Sequence, residues 1–206
     1  MSKTITTNAS SRIRARNLSV TAMLSAVAFV LMFLDFPIPF LIPPFVKMDI
    51  SELPALLASF SLGPIYGVAV CFVKNLIHFL TMTTTGGAGE LCNFLLGVFF
   101  VFPAGLIYQN AKSRRHAMIG TIVGAVLMGV LSIPLNYYIS YPIYTKIMPI
   151  EAILSMYQEL RPATDSLLEC LIVFNAPFTL LKGVLVTILC FLIYKPLSPI
   201  LHGTSR

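Results

Sequence analysis

Six apolar runs alternate with short polar or Pro/Gly-rich segments along the chain, at about residues 18–34, 51–62, 65–82, 91–108, 118–138 and 170–194. A helix needs about 20 apolar residues to cross a hydrocarbon core, and all but the second run approach that length. The second is short and stops at Gly63-Pro64, a turn signal. The pattern predicts an all-α integral membrane protein with six transmembrane helices. Residues 1–16 read as a flexible, basic cytoplasmic segment, 17–195 as one six-helix membrane domain, and 196–206 as a cytoplasmic tail. No A-x-A-like cleavage site interrupts the first run, so it reads as a retained helix and not as a signal peptide.

The breaks between runs are informative. Residues 35–47, DFPIPFLIPPFVK, carry Pro37, Pro39, Pro43 and Pro44, which forbid a regular helix, yet the segment is apolar. Irregular apolar backbone is tolerated at membrane depth only when buried in protein or lining a cavity. It is expected to be an external loop after helix 1 that forms a lid, with a loop resting in the headgroup layer as the alternative. Asp49 to Glu52 has the spacing of a capping box. Residues 81–90, TMTTTGGAGE, form a hydroxyl- and glycine-rich turn in which Gly86, Gly87 and Gly89 would let a ligand approach backbone. No strand precedes them and no G-K-[ST] follows, so they are no phosphate loop. Residues 150–160 form an amphipathic stretch, with Ile150, Ile153, Leu154 and Tyr157 on one face.

Composition agrees with the pattern: 57% of residues are hydrophobic and 11% charged. Soluble domains carry about 25% charged residues. The net charge of +6 does not signal nucleic acid, because the basic residues fall mainly in the short polar segments. With both termini cytoplasmic, that side holds Lys3, Arg12, Arg14, Arg16, Lys112, Arg114, Arg115, Lys195 and Arg206. The outside holds Lys47, Lys146 and Arg161 with the acids, as the positive-inside rule requires of a multi-pass protein of the cell membrane. Cys71, Cys92, Cys170 and Cys190 sit in apolar surroundings and read as small hydrophobes, with no metal called for. Neither H-E-x-x-H nor G-x-S-x-G occurs, which argues against catalysis. No acid falls mid-span, which weakens a proton-driven carrier.

What chemistry remains lies on polar residues inside the runs. Lys182 sits in the middle of the last one, where an ammonium costs about 2.5–3.5 kcal/mol on insertion scales. Asn175, Thr179 and Lys182 are spaced to share one helix face, and Pro177 frees the carbonyl of Val173. This stripe is either an interhelical pin or the wall of a ligand site. Lys74 repeats the problem in the third run and is expected to snorkel towards the cytoplasm. His78 reads as a satisfied core histidine, and Glu90 as a favourable charge at a helix start. Ala22 with Ala26, and Gly120 with Gly124 followed by Ala125 with Gly129, have the small-xxx-small spacing of close helix contacts. Either pair could pack internally or dock another subunit.

Four segments in order, PPFVKMDISELPALLASFSLGP, VKNLIHFL, TGGAGELCNFLLG and NAPFTLLKG, resemble the substrate-binding S component of energy-coupling factor (ECF) transporters, in particular the riboflavin-binding branch. The similarity extends over residues 22–195. It implies six helices enclosing a vitamin near the outer side, capture of riboflavin from outside and its delivery into the cell, and no cofactor or chemical change. It also implies partners: a membrane coupling protein docked on Ala22 and Ala26, and two cytoplasmic ATPases. The candidate ligand site comprises Lys182, Thr179, Asn136, Asn175, Met48, Phe45, Gly86, Gly87 and Asn93, of which the resemblance implies Lys182 and Asn136 on the polar edge of the flavin. Thr179 stands where the family commonly has Asn, which leaves FMN or another vitamin as an alternative substrate. From other classes, a lipid-modifying enzyme using Asp35, Asp49, Glu52 and Glu90, or a structural membrane subunit, also stays open.

Overall fold

The computed structural model describes the backbone of residues 2–202 and the side chains of residues 11–193. Helix α1 (Ser2–Phe33) contains neither Pro nor Gly, so the polar lead-in expected to be flexible continues as helix into the apolar run. After it come two short strands, β1 (Phe36–Pro37) and β2 (Lys47–Met48), paired antiparallel with Phe36 opposite Met48. Then follow α2 (Glu52–Ser61), α3 (Pro64–Met82), α4 (Ala88–Ala111), α5 (Arg114–Leu135), α6 (Tyr141–Tyr144), α7 (Ile150–Gln158), α8 (Leu167–Cys170) and α9 (Ala176–His202). The tail expected from residue 196 is therefore helical to His202, and residues 203–206 lie outside the described part.

This is an all-α membrane protein. Among the described residues five helical stretches are long and apolar enough to cross a bilayer: Ser11–Phe33, Pro64–Met82, Ala88–Ala111, Arg114–Tyr144 and Leu167–Ile193. Helix α2 is different. It has 10 residues, all but Ser61 are buried, and it packs against α1, α3, α4 and α9. A helix apolar on every side belongs inside a bundle. Gly63, at φ +125°, turns the chain so that α2 and α3 form an antiparallel hairpin, with Ser59 against Gly67 and Glu52 against Lys74. The Asp49–Glu52 spacing does not form a capping box: Ser51 precedes the helix in a helical conformation and makes no side-chain cap. Its hydroxyl is engaged elsewhere, as described below.

The core has two parts. The larger gathers Leu24, Ala28, Leu56, Val70, Phe100, Val101, Met128 and Val186 between the long helices. The second, smaller part seats the 35–48 loop: Ile42 and Met48 pack with Tyr141, Ile153, Tyr157, Leu171 and Phe178. The proline-rich segment thus rests on protein with Ile42 wholly buried, while Phe40 at its tip is exposed. Its neck is closed by the two-stranded ladder and by Lys47 Nζ, 3.0 Å from Asp35 Oδ1. Helix α7 is the amphipathic helix expected, with Ile153 and Tyr157 turned inward and Glu151 exposed.

The two small-residue pairs have different fates. Gly120 and Gly124 face α4, where an added Cβ would stand 2.7 Å from Ala104 O and 2.3 Å from Phe100 O. Gly129 meets Leu180 and Gly183 meets Ala125, closing α5 on α9. The α5 repeat is therefore internal packing and offers no docking face. Ala22 and Ala26 lie on the exposed side of α1, opposite Thr21, Leu24, Ser25 and Ala28. Gly124→Val should consequently lower stability in detergent, read from thermal unfolding, by about 1–3 kcal/mol or more, as is typical of overpacking. Val126→Ala, on an exposed face, should stay within about 0.5 kcal/mol of the parent. Equal shifts would show that α4 and α5 are not in backbone contact.

Candidate functional site

Two places where α-helical pairing widens by one residue border the end of the bundle that carries the 35–48 loop. Asn136–Ser140 and Leu171–Asn175 are π-turns, each closed by a fifth-neighbour bond, Tyr141 N–H to Asn136 O and Ala176 N–H to Leu171 O. Pro142 and Pro177 each lie two residues past them, so the displaced carbonyls, of Tyr138 and Val173, fall inside the turns. Proline lacks a donor and pushes away the carbonyl four residues back, and a wider turn accommodates both defects. The consequence is that Asn136 and Asn175 project into the same space.

That space is a cavity of about 190 Å³, open on one side. Phe45, Val46 and Lys47 of the loop cover it, and Asn93 and Leu96 of α4 with Met128 of α5 form one wall. Asn136, Ser140, Tyr141 and Tyr144 form another, and Asn175, Phe178, Thr179 and Lys182 the third. Of the residues expected to bind ligand, Lys182, Thr179, Asn136, Asn175, Phe45 and Asn93 line it. Met48, Gly86 and Gly87 do not: Met48 is packed into the smaller core, Gly86 faces open space, and Gly87 abuts Phe79. Gly89, from the same turn, is the glycine at the wall.

Lys182 is not a lone charge. Its ammonium donates to Asp49 Oδ2 at 2.7 Å and lies 2.9 Å from Glu52 Oε2, close enough for an ion pair though not aligned as a hydrogen bond. Glu52 Oε1 in turn accepts from Lys74 Nζ at 2.7 Å. Lys74 also donates to the Ser51 hydroxyl, and Ser51 donates to Asp49 Oδ1 through both its hydroxyl and, at 2.9 Å, its N–H. Five side chains thus close a ring, Lys182–Asp49–Ser51–Lys74–Glu52, joining α9, the foot of the loop, α2 and α3. Lys74 does not snorkel: it is fully buried, because two carboxylates wait at the level it has reached.

The remaining polar groups are partly committed, and what is left points to the ligand they suit. Tyr157, reaching in from α7, donates to Asn175 Oδ1 at 2.7 Å and accepts from Tyr141 at 2.5 Å. Tyr141 also lies within hydrogen-bond reach of the Asn175 side chain. Thr179 donates to Asn175 O at 2.7 Å, so its hydroxyl faces the cavity as an acceptor. Asn136 donates to Ser132 O at 2.8 Å, which leaves its carbonyl oxygen. An ammonium has three donors; Asp49 takes one and the ion pair with Glu52 can hold at most one more, so Lys182 keeps at least one. With Phe45 set edge-on against Tyr144 and Tyr157, at ring distances of 6.4 and 6.0 Å, the cavity suits a flat ligand with donors and acceptors along one edge.

The acids of the enzyme alternative do not converge. Asp35 pairs with Lys47, Asp49 and Glu52 with the two buried lysines, and Glu90 with His78 at 2.8 Å and with Thr85 at 2.9 Å. Among the described residues no three His, Cys, Asp or Glu side chains are grouped to hold a metal. The sequence reading missed Asp49 and Glu52 as cavity groups, and Tyr141 and Tyr157. A usable signal existed for the acids: two costly ammonium groups imply two nearby counter-charges. None existed for Tyr157, whose hydroxyl arrives from another element.

Removing Lys182 while leaving the acids should be severe. Lys182→Met is expected to cost about 3–5 kcal/mol of stability, the usual penalty for orphaning a buried charge. Lys182→Met combined with Asp49→Asn should recover part of it in the same thermal unfolding assay. A double variant as unstable as the sum of the two single changes would mean that the ring does not exist.

Comparison with known proteins follows the same lines. Residues 16–194 match the model of the ECF transporter substrate-specific component family. The chain is 35% identical over 183 residues to the riboflavin transporter RibU of Staphylococcus aureus, covering 89% of this chain and 90% of that protein. It is 32% identical over 189 residues to the riboflavin transporter FmnP of Bacillus subtilis, covering 90% and 94%. A solved structure described as the S component of a bacterial ECF transporter superposes with a TM-score of 0.70 at 33% identity, over 94% of this chain and 99% of that one.

Proposed function

The chain belongs to the substrate-specific components of ECF transporters, and from that premise we propose how its cavity, topology and partners serve riboflavin uptake. It is the riboflavin-binding component of such a transporter, a non-catalytic subunit that delivers its ligand through a coupling module. The observation that carries the site assignment is the outer cavity, roofed by the proline-rich loop and walled by amide, hydroxyl and ammonium groups with free valences. The flavin ring lies under Phe45. Its carbonyl and ring-nitrogen edge meets the remaining N–H of Lys182, the Asn175 amide and the acceptors Asn136 and Thr179, with Asn93 across the cavity. A flavin bearing a terminal phosphate is the second reading. A neighbouring outer pocket that shares Phe45, Lys47 and Tyr144 and contains Thr84 and Thr85 favours it.

Six crossings account for the topology. The 35–51 segment descends through the outer half and α2 completes the inner half, so that together they make one passage. Both termini then lie in the cytoplasm, with residues 1–16 and 196–206 as its basic ends. The exposed Ala22 and Ala26 form the docking face for a membrane coupling protein, which works with two cytoplasmic ATPases.

The purified protein should quench riboflavin fluorescence on titration, and protein that leaves the fluorescence unchanged would refute the assignment. Competition with FMN separates the two readings. Ala22→Trp with Ala26→Trp should leave quenching intact and abolish uptake by cells expressing the full transporter. Unchanged uptake would place the docking face elsewhere.

A further inference from the structure

Lys74 is among the most buried large side chains, yet it does not line the cavity. The charges it contacts belong to one cluster: Asp49 from the foot of the loop, Glu52 from α2 and Lys182 from α9; on its own helix the Cys71 thiol lies one turn before it and His78, paired with Glu90, one turn after. On the α4 side stands Gly97, where an added Cβ would meet the Cys71 thiol at 3.0 Å and Glu52 Oε1 at 3.8 Å. The cluster is neutral only with both lysines present. Without Lys74, two carboxylates would share the one ammonium that faces the cavity, and all of its N–H groups would be drawn to them.

We propose that Lys74 is a positioning residue for ligand binding: by taking Glu52 Oε1 and the Ser51 hydroxyl, it balances the second carboxylate and frees one N–H of Lys182 for the ligand. The inference rests on riboflavin being the cavity's ligand. Failure of that reading would appear separately, as absence of binding by the parent protein.

The test is riboflavin fluorescence quenching in detergent by the full chain, measured from pH 6 to pH 8. Lys74→Met should bind roughly tenfold or more weakly, within the range of coupling inside one ion-pair network. Its affinity should rise as pH falls, by at most about tenfold per pH unit for one proton taken up by the excess carboxylate, while the parent stays flat. Adding Glu52→Gln to Lys74→Met restores neutrality and should return both the affinity and the flat profile. A purely packing role for Lys74 would predict no such rescue and no acquired pH dependence. Parent-like binding by folded Lys74→Met overturns the proposal, as does a folded double variant that still binds weakly. Should the single variant not fold, the double variant decides, and its failure to fold also overturns the proposal, because a neutral cluster should be tolerated.

Discussion

A closed circuit of two ammonium groups, two carboxylates and a hydroxyl holds the outer half of this protein in register. Each charge would be costly to bury alone, and each is placed where another neutralises it. The circuit has geometric consequences beyond charge balance. Asp49 directly follows β2, so the foot of the loop is tied to α9 through Lys182. Glu52 opens α2, so the short helix is tied to α3 through Lys74. A buried ion-pair network of this kind is weak evidence for added stability, but it is well suited to fixing one arrangement among similar apolar packings.

The loop depends on this anchor. Backbone without helical pairing survives at membrane depth only inside protein. Here the ladder of β1 and β2, the seat of Ile42 among Tyr141, Ile153 and Phe178, and the tie through Asp49 together supply that shelter. The two π-turns serve the same end from the opposite wall. They turn Asn136 and Asn175 towards the space that the loop covers, and the prolines that provoke them are local features of the sequence.

Much of this was legible in the chain itself. Hydropathy located the long helices, because a bilayer demands length and apolar composition that few other contexts do. The prolines of residues 35–47 announced an irregular apolar loop, and the spacing of Asn175, Thr179 and Lys182 announced a polar face. The errors have a common physical origin. Lys74 was expected to reach water, and Asp49 and Glu52 to cap a helix, because pairing across 22 residues and, for Asp49 with Lys182, across 133 residues leaves no local trace. Gly120 and Gly124 carry the same spacing as Ala22 and Ala26, and only the three-dimensional neighbours distinguish an internal contact from an exposed one. Tyr157 looked like the apolar edge of a surface helix, and its hydroxyl proved to orient Asn175.

The account stands on the claim that the roofed outer cavity holds the flavin against Lys182 while the ion-pair circuit stays closed. An experimental structure of the protein with riboflavin bound tests this most directly. The account predicts the ring under Phe45, with Lys182 Nζ within hydrogen-bond distance of its polar edge and still bonded to Asp49. Riboflavin seated outside this cavity, or a Lys182 that abandons Asp49 to reach it, would contradict the account.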